Sequence, residues 1–225
     1  MNPSSTTLSD AEIEIVRQAN ILYFQRGGYQ TGSWMGYPSA KCPMDMWAYQ
    51  ELMHREQTDL LIETGTYKGG SALYFAQLFD AMGRGQVITI DIKQRQNLPQ
   101  HPRIRYLTGS SVTRAILEQV REIACQARSR MVILDSRHEM PFKFFEMKLY
   151  AEFVTPGNYL IAEDTSFDHY PAWPEFGPGP AAAVHKFLSE TPEFEADPEP
   201  EKHLLSFSPG AFLRRRAAAF AGAAG

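Results

Sequence analysis

Hydrophobic positions change their period several times along the chain. Ser9-Asp10 followed by Ala11-Glu12-Ile13 has the cap chemistry of a helix start, and Ile13, Val16 and Ile21 supply an apolar stripe. From Gly27 to Pro43 the period gives way to Gly, Pro and the aromatics Tyr29, Trp34 and Tyr37. That composition predicts an ordered loop lying over something, because Trp and Tyr rings are costly to leave wet. Met44 to Met53 returns to helical spacing. From Asp59 short continuous apolar runs alternate with helices: Asp59-Leu-Leu-Ile-Glu63, a helix through Leu73, Phe75, Leu78 and Phe79, then Val87-Ile-Thr-Ile-Asp91. Ile104 to Leu107 reads as a third strand, and Thr113 caps a helix carrying Ile116, Leu117, Val120 and Ile123. Met131-Val-Ile-Leu-Asp135 is another strand, Pro141 opens a helix, and Tyr159 to Asp164 is a strand ending in two acids.

Strands separated by helices predict an α/β fold, a doubly wound and mostly parallel sheet with helices on both faces. Continuous apolar strands fit burial on both sides. Leu204 to Ser208 and Phe212 to Arg215 flank Pro209-Gly210, which predicts a C-terminal antiparallel hairpin finishing the sheet. The Pro- and Glu-rich stretch from Thr191 to Glu201 reads as a surface loop, and 217–225 as a frayed end. The expectation is a single domain over 1–225. Residues 1–58 form an N-terminal helical and lid segment, and 59–216 a Rossmann-like core.

Composition narrows the function classes. Hydrophobic residues are 44% and charged residues 21%, ordinary for a globular domain, and the net charge of −4 argues against a nucleic-acid reader. Arg214-Arg215-Arg216 is too short a basic run to reverse that. Two cysteines, Cys42 and Cys125, give no disulfide framework and fit a reducing, cytoplasmic setting. Neither a signal-peptide pattern nor an apolar run long enough for a membrane span is present, so no membrane partner is expected.

In an open α/β sheet, ligands bind outside the carboxyl ends of the strands at the topological switch point. Four strands here end in an acid: Glu63, Asp91, Asp135 and the pair Glu163-Asp164. So much negative charge on one rim is costly unless a cation or hydroxyl donors meet it. The first strand-to-helix turn, Glu63 to Ser71, has Gly65 and Gly69-Gly70 for close backbone approach, and opens a helix N-terminus. With Asp91 placed to take ribose hydroxyls, the pattern points to an adenosine-containing ligand; the alternative is a tight turn with no ligand. Asp135, Glu163 and Asp164 suit a hard cation such as Mg2+ or Mn2+, which can hold a substrate hydroxyl and lower its pKa. The plainer reading is that Glu163 and Asp164 cap a loop. His138, three residues past Asp135, could take a proton from that hydroxyl or be a surface histidine. His169 and His185 have weaker claims.

Four stretches carry a family resemblance: Cys42-Pro-Met-Asp-Met-Trp-Ala-Tyr-Gln-Glu51, Glu63-Thr-Gly-Thr-Tyr-Lys-Gly-Gly-Ser-Ala-Leu73, Leu134-Asp-Ser-Arg-His138 and Pro156-Gly-Asn-Tyr-Leu-Ile-Ala-Glu-Asp-Thr165. From about Trp34 to Phe212 the chain resembles the cephalosporin hydroxylase / rhamnosyl O-methyltransferase family of class I methyltransferases. The resemblance implies S-adenosylmethionine at the glycine-rich turn, with Glu63, Gly65 and Ser71 at its methionine end and Thr66, Lys68 and Gly69 in the same turn. It implies Asp91 on the ribose, Ser110 and Ser111 near the adenine, and Mg2+ on Asp135, Glu163 and Asp164. The position matching His138 holds a lysine general base in the similar catechol-type enzymes. Arg137 departs from the family pattern, where that residue is usually acidic or polar. Beside a histidine it should depress the imidazole pKa, or it reads an acidic group on the substrate. No iron triad or haem ligand supports oxygen activation.

The expected reaction is O-methylation of a hydroxyl on a small natural product or its sugar. The loops Gly32 to Pro43 and Phe167 to Pro180 would form an aromatic lid. For Trp34, Trp47 and Trp173 core packing competes with a binding role, and for Trp47 packing is favoured. A nicotinamide-dependent oxidoreductase would need a G-x-G-x-x-G turn, which is missing. A non-catalytic helper subunit would tolerate a degenerate acid cluster, yet all three acids are present. The apolar N-terminal helix and Ala-rich tail suggest a homo-oligomer.

Overall fold

The structure, a computed structural model, describes residues 8–169 and 176–217. Helix α1 (Asp10–Gln25) starts at Ser9, whose hydroxyl accepts from the Glu12 amide while the Glu12 carboxylate accepts from the Ser9 amide. Its buried face is Val16, Asn20 and Phe24, so the predicted stripe is rotated: Ile13 is 39% exposed. Asn20 Nδ2 donates to Ser206 O at 3.0 Å and ties the helix to the far end of the chain.

The aromatic stretch is more ordered than a loop. A turn of helix, α2 (Gly28–Thr31), leads into a small antiparallel ladder, β1 (Ser33–Trp34) with β2 (Tyr37–Pro38). The Trp34 indole donates to Gln77 Oε1 at 2.7 Å and packs edge-on against Tyr74. Helix α3 (Pro43–Arg55) follows. It buries Ala48, Tyr49, Leu52 and Met53 but leaves Trp47 58% exposed, against the packing role favoured for it. Trp173 lies outside the described residues.

The main sheet joins β3 (Leu60–Thr64), β4 (Gln86–Asp91), β5 (Ile104–Thr108), β6 (Arg130–Leu134), β7 (Tyr159–Ala162), β8 (Phe194–Ala196) and β9 (Phe212–Arg215) in the order β5-β4-β3-β6-β7-β9-β8. The first five strands in that order run parallel, while β9 is antiparallel to both β7 and β8. The helices are α4 (Gly70–Ala81), α5 (Arg114–Ala124), α6 (Met140–Tyr150), α7 (Ser166–His169) and α8 (Pro180–Glu190). Alternation along each buried strand feeds two cores. Leu60, Ile62, Val132, Leu134 and Leu160 meet residues of α5, α6 and α8, while Leu61, Met131, Ile133, Tyr159 and Ile161 meet α3 and α4.

The predicted C-terminal hairpin needs correction. Phe212–Arg215 is the antiparallel strand, but its partners are β7 and β8, and Leu204 to Ser208 forms no strand. The reason is local hydrogen bonding: the Phe207 amide donates to Asp45 Oδ2 at 2.9 Å and Ser206 O accepts from Asn20, so this backbone is spent on α1 and α3. The stretch expected as a surface loop supplies β8 and a 3-10 turn over Glu199–His203. The short basic run is built into this edge, with Arg215 Nη1 donating to Val154 O at 2.6 Å and Arg216 paired with Glu195 at 3.2 Å. Both cysteines are free. Among the described residues no helix is long and apolar enough to cross a membrane.

Candidate active site

Strand order reverses between β3 and β6, since the chain winds outward through β4 and β5 before returning to β6. At the carboxyl ends of these strands lies a cavity of about 400 Å3. One half is built from the first turns. Gly65 sits at φ 96°, and a Cβ there would stand 2.0 Å from Asp135 O, so only glycine lets the turn pass the neighbouring strand. Asp91 ends β4 with its carboxylate accepting from the Tyr67 amide (3.1 Å), the Lys93 amide (2.9 Å) and Arg95 Nε (2.9 Å). Gly65, Asp91, Ser110 and Ser111 all line the cavity. Ser111 Oγ donates to the buried Glu146 at 2.5 Å.

Glu63, Thr66, Lys68, Gly69 and Ser71 stand outside that lining. Glu63 is fully buried, accepts from Thr89 Oγ1 at 2.7 Å, and keeps Oε1 without a hydrogen-bond partner among the described residues. Burial pushes its pKa up. Thr66 pairs with the Thr89 hydroxyl at 2.7 Å, Gly69 caps α4, Ser71 is buried in its first turn, and Lys68 is exposed.

The other half carries the acids. Asp135, His138 and Asp164 each bring one donor atom within 4.8 Å of the others, and all three line the cavity. Asp164 holds a left-handed backbone at φ 67°, and burial with the Asp135 charge pushes its carboxyl up to about 8. The His138 imidazole is pulled down to about 4, by burial first and the Lys143 ammonium second. The predicted depression is there, but Arg137 is not its cause: that guanidinium turns to Glu139 at 2.8 Å and covers the Phe142 ring. Its Nε2 stands 3.6 Å from Asp164 Oδ2, and its buried Nδ1 has no hydrogen-bond partner among the described residues.

Glu163 does not join the other acids on the cavity wall. Its Oε1 accepts from Tyr49 Oη at 2.7 Å and its Oε2 from Lys41 Nζ at 2.6 Å, and its side chain is 5% exposed. Lys41 also reaches Asp135 Oδ2 at 2.6 Å and lies 3.8 Å from Glu63 Oε1. Burial alone would lower this ammonium's pKa; the Asp135, Glu163 and Glu63 carboxylates outweigh it and hold it well above the ordinary lysine value. Burial tends to raise Asp135, but Lys41 and then His138 keep it below its usual range.

The remaining walls are aromatic. Phe24 from α1 packs on Phe207 with ring centroids 4.7 Å apart and on Phe167 at 5.4 Å, and Phe167 meets the His138 ring at 5.2 Å. Tyr29 completes this side. Of the two expected lid loops, Gly32 to Pro43 contributes Ala40 to the lining and the later one contributes Phe167; residues 170–175 lie outside the described residues.

A sequence model described as rhamnosyl O-methyltransferase/CmcI matches residues 27–216. The chain belongs to this family. It is 34% identical over 208 residues to a rhamnosyl O-methyltransferase of Mycobacterium leprae (strain TN), covering 90% of this chain and 91% of that protein. A rhamnosyl O-methyltransferase of Mycobacterium tuberculosis (strain ATCC 25618 / H37Rv) is 35% identical over 190 residues, 81% of this chain and 78% of its relative. Among solved structures, CmcI as a Mg-SAM complex superposes with a TM-score of 0.65 at 22% identity, over 84% of this chain and 78% of that one, a likeness of fold. Within the rhamnosyl O-methyltransferase/CmcI family the chain is an S-adenosylmethionine-dependent O-methyltransferase.

Lys41, Tyr49, Lys143 and the wall residues Phe24 and Phe207 went unread in the sequence. Lys41 immediately precedes a recognised motif and Tyr49 lies inside it, but nothing in their spacing links them to acids 94 to 122 residues away. The one available signal was a lysine in an aromatic loop, immediately before a helix with a buried face.

Proposed function

We propose that the chain methylates a hydroxyl of a sugar-bearing small natural product, with S-adenosylmethionine in the glycine-turn half of the cavity and a divalent cation in the acid half. The observation that carries this reading is the shared cavity itself: Gly65, Asp91 and Ser110–Ser111 line one side, and Asp135, His138 and Asp164 the other. The relatives named for rhamnosyl methylation support a sugar hydroxyl as acceptor.

The residues present fit both groups. Asp91 offers carboxylate oxygens at the strand end where ribose hydroxyls would lie. Glu63, implied at the methionine end, lies buried behind the turn with Oε1 3.8 Å from the Lys41 ammonium, and would act on the donor through the turn it supports. For the cation, the Asp135 and Asp164 carboxylates, with the His138 Nε2 3.6 Å from Asp164 Oδ2, are a donor set that suits Mn2+ or Mg2+ with waters filling the remaining positions. Asp135 and Asp164 would hold it from the cavity wall, with Glu163 behind them, and His138 stands beside them where it could take the proton of a bound hydroxyl. When bound, the metal supplies Lewis-acid lowering of a hydroxyl pKa.

Methyl transfer is an in-line displacement. The acceptor oxygen forms its bond to the methyl carbon as the carbon–sulfur bond breaks, the hydroxyl proton leaves to water, and S-adenosylhomocysteine remains. The chain's own work is orientation and exclusion of water. Phe24, Tyr29, Phe167 and Phe207 give the acceptor an apolar wall, onto which the C–H face of a deoxysugar can lie. Gly65 brings the donor turn against the Asp135 backbone, so the two halves of the cavity adjoin.

The test is isothermal titration with S-adenosylhomocysteine, with and without Mg2+, followed by transfer of labelled methyl from S-adenosylmethionine to rhamnosides and to sugar-free phenols. Micromolar binding with metal-dependent labelling of a rhamnoside is expected. Labelling of phenols alone would overturn the sugar assignment, and full labelling in chelator would overturn the metal.

A further inference from the structure

Helix α6 sends three large polar side chains from one face under the floor of the cavity: Lys143, Glu146 and Tyr150, at i, i+3 and i+7. All three are fully buried. Lys143 Nζ donates to Leu134 O at 2.9 Å and fixes the end of β6. Tyr150 Oη donates to Ser111 O at 3.0 Å and fixes the loop after β5. Glu146, between them, takes one hydroxyl from each loop. Ser111 Oγ donates to Glu146 Oε1 at 2.5 Å, and Ser136 Oγ donates to Oε1 at 2.8 Å and to Oε2 at 2.9 Å.

Both serines line the cavity. Each hydroxyl has one proton, and a carboxylate oxygen can only accept. With those protons directed at Glu146, each serine has only lone pairs left for a ligand. Among the described residues nothing donates to either hydroxyl oxygen. The two acceptors share Oε1 as a partner, so the loops after β5 and β6 bring them close together. Paired acceptors suit a nitrogen carrying two N–H donors and repel a carbonyl oxygen in the same place. S-adenosylmethionine carries such a nitrogen on its base, the exocyclic amino group of adenine. Asp91, at the ribose position, ends β4, the neighbour of β5, so a nucleoside held there has its base beside the Ser111 loop.

We propose that Glu146 is a positioning residue that fixes the Ser111 and Ser136 hydroxyls as paired acceptors, and that this pair selects the 6-amino group of adenine over a 6-oxo group. This deepens the cofactor reading above and rests on it. Glu146 stays behind the serines and touches no ligand. A glutamine in its place has an amide that donates as well as accepts, which frees one hydroxyl to turn its proton to the cavity.

Calorimetric titration of the full chain with S-adenosylhomocysteine and with S-inosylhomocysteine, its 6-oxo analogue, tests this through the ratio of the two Kd values. The unsubstituted chain should prefer the adenine form by about tenfold or more. In Glu146→Gln the preference should shrink to within about threefold, chiefly because the 6-oxo form gains a donor. A purely structural role for Glu146 would weaken both ligands alike and leave the ratio unchanged, and that result would overturn the proposal. Ser136→Ala keeps Glu146 and alters a half-buried position, so it decides the matter if Glu146→Gln does not fold. Its ratio should fall by about threefold, and an unchanged ratio there would count equally against the proposal. Equal binding of both nucleosides by the unsubstituted chain would refute the selection while leaving the cofactor site standing. Binding of neither would strike the cofactor reading and this assignment with it.

Discussion

The two halves of the cavity are assembled in different ways. The glycine-turn half comes from consecutive strand, turn and helix: Gly65, Asp91 and Ser110–Ser111 stand at the ends of β3, β4 and β5, which are neighbours in sequence and in space. The acid half draws on distant segments: Asp135 from β6, Asp164 from β7, Phe24 from α1, Phe207 from the tail, with Lys41 behind them from the N-terminal loop. A site of the first kind is held by the sheet's own hydrogen bonds. One of the second kind depends on how the N-terminal and C-terminal segments dock, and can be altered without disturbing the sheet.

This contrast is open to direct attack. Asp164→Asn removes charge from the acid half alone, and methyl transfer should fall by about a hundredfold or more if the proposed metal holds the hydroxyl there. S-adenosylhomocysteine affinity should stay within about twofold, measured calorimetrically; a parallel loss would mean the halves are not separable. Asp91→Asn is the reciprocal change. It should weaken S-adenosylhomocysteine by about tenfold, the worth of a hydrogen bond to a charged group, while leaving Mn2+ affinity unaltered.

The smallest effect concerns the scaffold of the acid half. Asp45 on α3 accepts from the Phe207 amide, and burial pushes its carboxyl up to about 7. A folded-state pKa raised above the unfolded value of about 3.8 means the native state holds the proton longer. Its stabilising contribution is complete below pH ~4 and is lost as pH rises towards 7. Asp45→Asn keeps an acceptor for Phe207 and removes the ionisation. Its Tm should therefore gain on that of the unsubstituted protein as pH goes from 4 to 8, and a constant difference would refute the assignment.

Sequence patterns carried the first kind of construction and missed the second. Alternating apolar runs and helical spacings placed the five parallel strands, and β9, because each strand is buried on both faces and announces itself locally. The stretch 204–208 misled because its backbone hydrogen bonds go to Asp45 and Asn20 rather than to a sheet, and no local pattern encodes partners more than 150 residues away. The strand-end acids were legible as a set, since β-strand register puts them on one rim. That Glu163 and Asp164 separate to opposite sides was not, because the division follows from the Asp164 backbone and from Lys41 and Tyr49, which meet only in the folded chain.

Gly65 ties the two constructions together. With no side chain between its α-carbon and the Asp135 carbonyl, the ends of β3 and β6 meet backbone to backbone. Any side chain at position 65 would force these strand ends apart, so the spacing of the two halves is set by main-chain contact at one residue. Phe24 and Phe207, buried and packed on each other, set the opposite wall by side-chain fit, which several compatible substitutions could rebuild. One small cavity thus joins a wall fixed at the backbone to one that can be repacked.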